Sequence, residues 1–345
     1  MNVIKLIAVG DIFLKTRNNK YPFERVQKLF ENKDILFGNL ETVLSTEGKE
    51  KEKAVPLYIS PEKVKYLKEV DFDVLNLANN HIMDLGIEGF NKTLEVLIKN
   101  NLKFIGVSNK KQKNYLIIEK QGMKIGFIAY TQFGETFFEE NIRINKLKLK
   151  NIVGDIEFIK HKCDFIIVSL HWGIEKVFYP SPKQVKFAHR LIDAGATIIL
   201  GHLPHVIQGI EKYKNGLIGY SLGNFNFEFN PKECIGPQDK RTNQSIILFL
   251  EIDENGLRNY SIIPVKIDKD FVPYVLSERE KEEILDFVFK ISQPIVKKQM
   301  KENKWFEEIS EEYLYGNMEA WIIRIKNHGI KHFLQCIRWL VSPFV

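Results

Sequence analysis

Cysteine is scarce in this sequence: across 345 residues only Cys163, Cys234 and Cys336 carry a thiol, far apart in the chain. An odd and dispersed set excludes a disulfide framework and a CxxC metal knuckle, and a reducing compartment is the expectation. Long apolar runs are also missing. Nowhere do about 18 uncharged apolar residues follow one another, which excludes a membrane-spanning helix. MNVIKLIAVGD enters a strand-like run with no signal-peptide core before a small-residue cleavage site. The expected location is therefore cytoplasmic, with any membrane contact peripheral at the inner face. Charge of one sign is sparse as well. Lys+Arg exceeds Asp+Glu by 50 to 44, and the resulting +6 is spread along the chain without an arginine cluster. A nucleic-acid partner is therefore not expected. With 44% hydrophobic residues and no internal repeat, neither disorder nor a fibrous fold fits.

What is present is a succession of short runs rich in Ile, Val, Leu and Phe: Lys5–Val9, Ile35–Phe37, Val74–Leu77, Lys103–Val107, Ile125–Tyr130, Phe165–Leu170, Thr197–Leu200 and Leu217–Tyr220. Runs apolar on both faces read as buried strands. Helical spacing lies between them. Ser60-Pro61 predicts a capped start before Val64, Leu67 and Val70, and Gly86 to Asn100 carries Phe90, Leu94 and Leu97 on one face. Ser181-Pro182 opens a further helix with Ala188, Leu191 and Ile192. Strand alternating with helix predicts an α/β domain. SIILFLEID and YSIIPVKI, separated by Glu254-Asn255-Gly256, read as a closing hairpin. The composition then turns helical. We divide the chain at this point into a domain over residues 1–275 and a helical appendage over 276–345. Within the appendage, residues 320–345 place Ile330, Phe333, Leu334, Ile337 and Leu340 on one stripe beside Arg324, Lys326, Lys331 and Arg338. Such a stripe serves either the fold's own packing or docking onto a partner or an anionic membrane.

The chemistry is concentrated where the strands stop. In open α/β sheets the ligand crevice lies outside the carboxyl ends of the strands. Here IAVGD ends on Asp11, ILFGNLE on Asn39 and Glu41, and VLNLANNH on Asn79, Asn80 and His81. FIIVSLHWGIE carries His171 and Glu175, TIILGHLPH carries His202 and His205, and GLIGYSLGNF reaches Ser221 and Asn224. One histidine beside an apolar run is most often structural, but four of the chain's eight fall at these ends. Imidazole, carboxylate and amide without thiolate suit one or two divalent ions, with Mn, Fe and Zn the candidates. In Gly201-His202-Leu203-Pro204-His205 the glycine predicts a sharp turn after the strand, and Pro204 predicts an extended Leu203, so that both imidazoles aim at one centre. Adjacent side chains in Asn79-Asn80-His81 cannot all face one point. Asn80 and His81 are therefore expected to divide the work between a metal bond and a substrate contact, which leaves His81 as an acid or an oxyanion donor.

VGDIFL, GNLETVLS, LANNHIMDLG, SLHWGIE, GHLPHVIQG and SLGNFNFE, in this order over roughly residues 3–230, resemble the CapA family of bacterial capsule and poly-gamma-glutamate synthesis proteins. That family is similar to the calcineurin-like metallophosphoesterases. The resemblance implies a four-layer αββα sandwich with a metal site on its rim. It implies Asp11, Glu41, Asn80, His171, His202 and His205 as metal ligands, with Glu41 bridging, and His81 as the catalytic neighbour of Asn80. The first motif departs from Asp-x-His, since Phe13 stands two places after Asp11, and the second supplies Glu41 where an aspartate is usual; both changes bear on whether one ion or two is held.

Two readings follow. In the first the protein is a metal-dependent hydrolase or transferase acting on an anionic or amide-linked polymer or on a phosphoester. His81 is then the acid, and Glu175 and Asn224 contact substrate or orient a ligand. In the second it is a non-catalytic metal-binding component of an envelope-polymer assembly, docking to capsule-synthesis proteins or to the membrane through its basic helix. For Glu175 and Asn224 a plain sheet-end hydrogen bond is the alternative.

Overall fold

A computed structural model describes residues 2–51, 55–108, 114–134, 143–228 and 241–301, together with 305 and 330. The apolar runs become strands. The first half supplies β1 (Ile4–Ile12), β2 (Ile35–Leu40), β3 (Val43–Leu44), β4 (Tyr58–Ile59), β5 (Val74–Asn76), β6 (Lys103–Ile105), β7 (Val107–Ser108), β8 (Tyr115–Lys120) and β9 (Met123–Thr131). The second supplies β10 (Arg143–Ile144), β11 (Phe165–His171), β12 (Ile198–His202), β13 (Ile210–Tyr213), β14 (Gly216–Gly219), β15 (Asn224–Asn226), β16 (Gln244–Asp253), β17 (Gly256–Ile267) and β18 (Pro273–Val275). The helices are α1 (Val64–Glu69), α2 (Gly86–Lys99), α3 (Leu149–Ile159), α4 (Pro182–Ala194) and α5 (Glu278–Val296).

Two large sheets result. One has eight strands in the order β18-β17-β16-β1-β2-β5-β6, with β15 beside β1; the other runs β13-β14-β12-β11-β9-β8. Their centres are parallel, β1 with β2 and β5 in one and β9, β11, β12 and β14 in the other. Antiparallel strands, including the expected β16–β17 hairpin, extend them at the edges.

Side-chain alternation, which reverses face at every residue of a strand, shows how the layers stack. Ile125 and Phe127 of β9, Phe165 and Ile167 of β11, and Ile198 and Leu200 of β12 join the core between the sheets. Their neighbours Ile128, Ile166, Val168 and Ile199 pack instead beneath α3 and α4 with Ile152, Ile156, Ala188 and Leu191. Phe37 of β2 stacks on Phe127 across the inter-sheet core, centroids 6.3 Å apart. α1 and α2 bury Leu67, Phe90 and Leu97 on the side of the first sheet. The architecture is an α/β sandwich, helix–sheet–sheet–helix, and each fully buried Leu, Ile or Phe contributes about 1.5–3 kcal/mol to it.

Helix starts follow local chemistry unevenly. Ser181 Oγ accepts the Gln184 N–H at 3.1 Å while Gln184 Oε1 accepts the Ser181 N–H at 2.9 Å, a reciprocal box ahead of Pro182. Ser60 differs from expectation: its hydroxyl makes no capping bond, and a 3₁₀ turn over Pro61–Lys63 precedes α1. α5 buries Ile284, Val288, Ile291 and Ile295. It also ties to β13 through Ser292 Oγ, which accepts the Ile210 N–H at 2.9 Å. Trp305, 8% exposed, donates its indole N–H to Tyr179 O at 3.2 Å. The amphipathic stripe expected over residues 320–345 lies outside the described residues except for Ile330.

Candidate metal centre

Strand parity aims the site. His171 shares its face of β11 with Phe165 and Ile167, and His202 shares its face of β12 with Ile198 and Leu200, so both imidazoles leave the second sheet toward the first. Asp11 and Glu41, from the ends of β1 and β2, meet them; all four are fully buried. Asp11 Oδ1 lies 3.2 Å from His202 Nδ1, and Asp11 Oδ2 lies 3.3 Å from His205 Nδ1. Glu41 Oε1 stands 3.6 Å from His171 Nε2, 3.8 Å from His205 Nε2 and 3.9 Å from His81 Nε2. One ligand atom each from Asp11, Glu41 and His171 falls within 4.8 Å of the others.

The loop after β12 brings His205 to this point by a route other than the one the sequence suggests. Leu203 is not extended but holds φ at +94°, and His205 follows at +57°. Two non-glycine residues at positive φ, one of them branched, store strain that the surroundings must hold in place. Gly201 is no turn residue either. It lies within β12, where a Cβ would come 1.8 Å from Tyr220 O, so the glycine permits close strand approach.

Asn80 Oδ1 is 2.8 Å from His171 Nε2. Asn79 shapes the turn, donating to Leu40 O at 2.8 Å and accepting the His81 N–H at 3.1 Å. The three adjacent residues therefore do divide their directions. Asn224 Oδ1 sits 2.9 Å from His205 Nδ1 while its amide donates to Thr242 O, so it orients an imidazole. Glu175, half-buried on the loop after β11, acts on His205 through its charge. Phe13 turns away into a cluster with Leu57, Phe227, Ile267 and Phe271.

Two residues outside the expected ligand and catalytic set prove central. Asn39 donates to Asp11 Oδ1 at 2.8 Å and to Glu41 Oε2 at 3.2 Å, and accepts from Asn76 Nδ2 at 3.0 Å. It holds the two carboxylates in fixed relation. Asp84 Oδ2 lies 2.6 Å from His81 Nδ1 and also accepts the Leu57 N–H. The carboxylate places a proton on Nδ1 and leaves Nε2 facing Glu41. The spacing His81-x-x-Asp84 and the two-residue spacing of Asn39 and Glu41 at the end of β2 were the available signals.

Electrostatics fit a cation. Burial alone would raise the Asp11 carboxyl, but the close approach of the His202 and His205 imidazoles outweighs it and holds Asp11 well below the usual carboxylate range. Burial pushes His171 well below the ordinary imidazole value. For His205 burial is outweighed by Glu41 and then Asp11, and the imidazole is pushed up to about 10. Asp11 Oδ2 and both ring nitrogens of His202 are buried without a hydrogen bond of proper geometry. Buried polar atoms of this kind are costly unless another partner reaches them. Anionic oxygens and imidazole nitrogens converging on one point match the donor set of a divalent ion.

Fold and site together describe an α/β sandwich with a buried group of side chains able to bind a metal ion. Residues 5–228 match the family described as bacterial capsule synthesis protein PGA_cap, and the chain belongs to that family. It is 30% identical over 302 residues to the capsule biosynthesis protein CapA of Bacillus anthracis, covering 81% of this chain and 72% of that one. To the PGA biosynthesis protein CapA of Bacillus subtilis it is 32% identical over 284 residues, covering 77% and 72%. A hypothetical protein from Thermus thermophilus superposes with a TM-score of 0.50 at 14% identity, over 76% of this chain and 99% of that one. A provisionally assigned 5′-nucleotidase from Staphylococcus aureus, solved with alpha-ketoglutarate, gives 0.50 at 14% over 84% and 58%. At such identities the structural likeness concerns the fold. Among the described residues no helix is long and apolar enough to cross a membrane.

Proposed function

We propose that this chain is a metal-dependent hydrolase or transferase of capsule or poly-gamma-glutamate biosynthesis, acting on an anionic polymer or a phosphoester. The observation that carries the reading is the convergence of buried Asp11, Glu41 and His171 within 4.8 Å, beside a His202 whose ring nitrogens lack hydrogen bonds. Asp11, Glu41, Asn80, His171, His202 and His205 are the proposed ligands of one or two ions, with Mn, Fe and Zn as candidates. A bound divalent ion would polarise the scissile group and acidify a water. The chain supplies the rest. Asn39 fixes the separation of the carboxylates, and Asn224 fixes the His205 ring. His81, its Nδ1 proton held by Asp84, acts as the imidazolium: it presents Nε2–H to the reacting group, delivers that proton to the leaving atom and is left as the neutral Nδ1–H imidazole. Glu175 stands at the rim as a substrate contact. Phe13, packed away in its cluster, favours one tightly held ion over two.

Metal analysis of the purified protein, with phosphodiester and gamma-glutamyl hydrolysis assays on wild type and His81→Ala, tests this reading. Bound metal without turnover, together with capture of capsule-synthesis proteins, would replace it with a non-catalytic assembly component. Asp84→Asn is expected to lower turnover about 10²- to 10³-fold with little change in KM, because the amide no longer sets the Nδ1 proton. An unchanged kcat would remove His81 from proton transfer.

Metal binding should also depend on pH in a stated direction. A ligating imidazole must be neutral, whereas metal-free His205 keeps its proton up to about pH 10. Affinity should therefore rise with pH through the neutral range, by about a decade per unit for one released proton. Calorimetry in buffers of different ionisation enthalpy counts that proton, and a pH-independent affinity would exclude His205 as a ligand.

A further inference from the structure

The two helices covering the second sheet differ in charge pattern from every other long helix among the described residues. α2 carries Glu88, Lys92, Glu95 and Lys99 in alternating sign on its outer side, with Lys92 and Glu95 paired at 3.1 Å. α5 is likewise laced by Lys281–Glu278 and Arg279–Glu283. On α4, by contrast, Lys183, Lys186 and Arg190 recur at helical spacing directly opposite the buried Ala188, Leu191 and Ile192, and all three are exposed. The neighbouring α3 is bracketed by exposed Lys148 and Lys150 at its start and Lys160 and Lys162 just beyond its end. None of these seven cations forms an ion pair among the described residues. The exposed acids of the two helices and of the segment just beyond α3 are Glu157, Asp164 and Asp193; Asp164 accepts the Lys124 N–H and Asp193 is already paired with Lys214. At the edge of this layer Phe158 is 57% exposed, with Tyr115 at its edge and the Lys162 ammonium 3.6 Å from its ring centre.

We infer that the α3–α4 face docks on an anionic lipid bilayer. Unpaired lysines spread over two side-by-side helices suit a diffuse, planar field of negative charge, to which each contributes independently. Six of the seven are lysine, a point charge without the planar fork that reads phosphates one by one. Phe158 selects the lipid over a soluble polyanion, since an exposed aromatic ring gains by entering the acyl boundary and gains nothing from a hydrated polymer. The face lies on the outer side of the second sheet, distinct from the rim where Asp11, Glu41 and the imidazoles meet, so docking leaves that rim open.

Flotation of the full chain with vesicles tests the inference. The protein is expected to float with phosphatidylcholine vesicles containing a minority of phosphatidylglycerol and to stay down with phosphatidylcholine alone. Combined Lys183→Glu, Lys186→Glu and Arg190→Glu should weaken partitioning at least about 100-fold, at roughly fivefold per lost cation. Phe158→Ser should weaken it about tenfold. Lys65→Glu, Lys68→Glu and Lys99→Glu together change the net charge equally at exposed positions elsewhere and should leave flotation unchanged. Any of three results overturns the inference: no flotation of wild type, equal loss in both triple variants, or flotation of the α4 triple as strong as wild type. Retention of soluble polyglutamate that is lost in the α4 triple, without vesicle binding, would assign the face to a polymer instead.

Discussion

Glu41→Gln protein is expected to fold but to bind the proposed divalent ion far more weakly than wild type. Glu41 Oε1 is the point to which His171, His205 and His81 all turn, at 3.6, 3.8 and 3.9 Å. The substitution keeps the volume of the side chain and the acceptor facing Asn39, but replaces the carboxylate proposed as a ligand with a neutral amide. Removing a group that merely orients a ligand costs roughly 10–100-fold in metal affinity, and loss of a charged ligand at the centre of the cluster should exceed that. Hydrolysis, where assayed, should fall with metal occupancy. Elemental analysis and metal titration read the outcome directly. A Glu41→Gln protein that retains wild-type metal content would move the centre elsewhere.

Gly10→Ala tests how the sandwich holds that centre. A Cβ at Gly10 would lie 1.9 Å from Gly223 O and 2.9 Å from Gly223 C, both backbone atoms that cannot rotate away. The next N–H, that of Asp11, donates to this same Gly223 O at 3.0 Å, and Asp11 is in register with Asn224. Relief of the clash must separate β15 from β1 where the first carboxylate and the residue orienting His205 are set. We expect destabilisation of about 3 kcal/mol or more, read as a protein that unfolds several degrees earlier or does not accumulate. Gly154→Ala is the matching control. Nothing lies within 4 Å of its Cβ and it sits inside α3, so a gain of roughly 0.5–1 kcal/mol is expected from helix propensity. Equal thermal stability of the Gly10 and Gly154 variants would refute the close-approach argument.

Much of the fold is legible in single stretches of sequence. A strand such as Phe165–His171 must be buried because it is apolar on both faces, and a helix such as Pro182–Ala194 starts at Ser181 because hydroxyl, proline and Gln184 together satisfy the first turn. The Ser60 start misled because the same dipeptide also begins a 3₁₀ turn, and the choice rests on packing beyond it. The Leu203 expectation failed for a related reason. Pro204 does disfavour the helical region for its predecessor, but the loop takes positive φ at Leu203 and His205 instead, with His202 and His205 both within 3.3 Å of Asp11.

The sequence by itself determined the scarcity of thiols, the α/β alternation and the delivery of carboxylates, amides and imidazoles to strand ends, because each is a property of consecutive residues. Tertiary structure decided which of those groups meet. Asn39 became the link between Asp11 and Glu41, Asp84 the partner of His81 and Asn224 the partner of His205, whereas Phe13 joined an apolar cluster. The physical reason is that contacts between side chains on separate strands depend on sheet order, register and which face each strand turns inward. The grouping of unpaired lysines on α3 and α4 is of the same kind, since their dispersal along the chain gives no sign that two packed helices bring them to one surface.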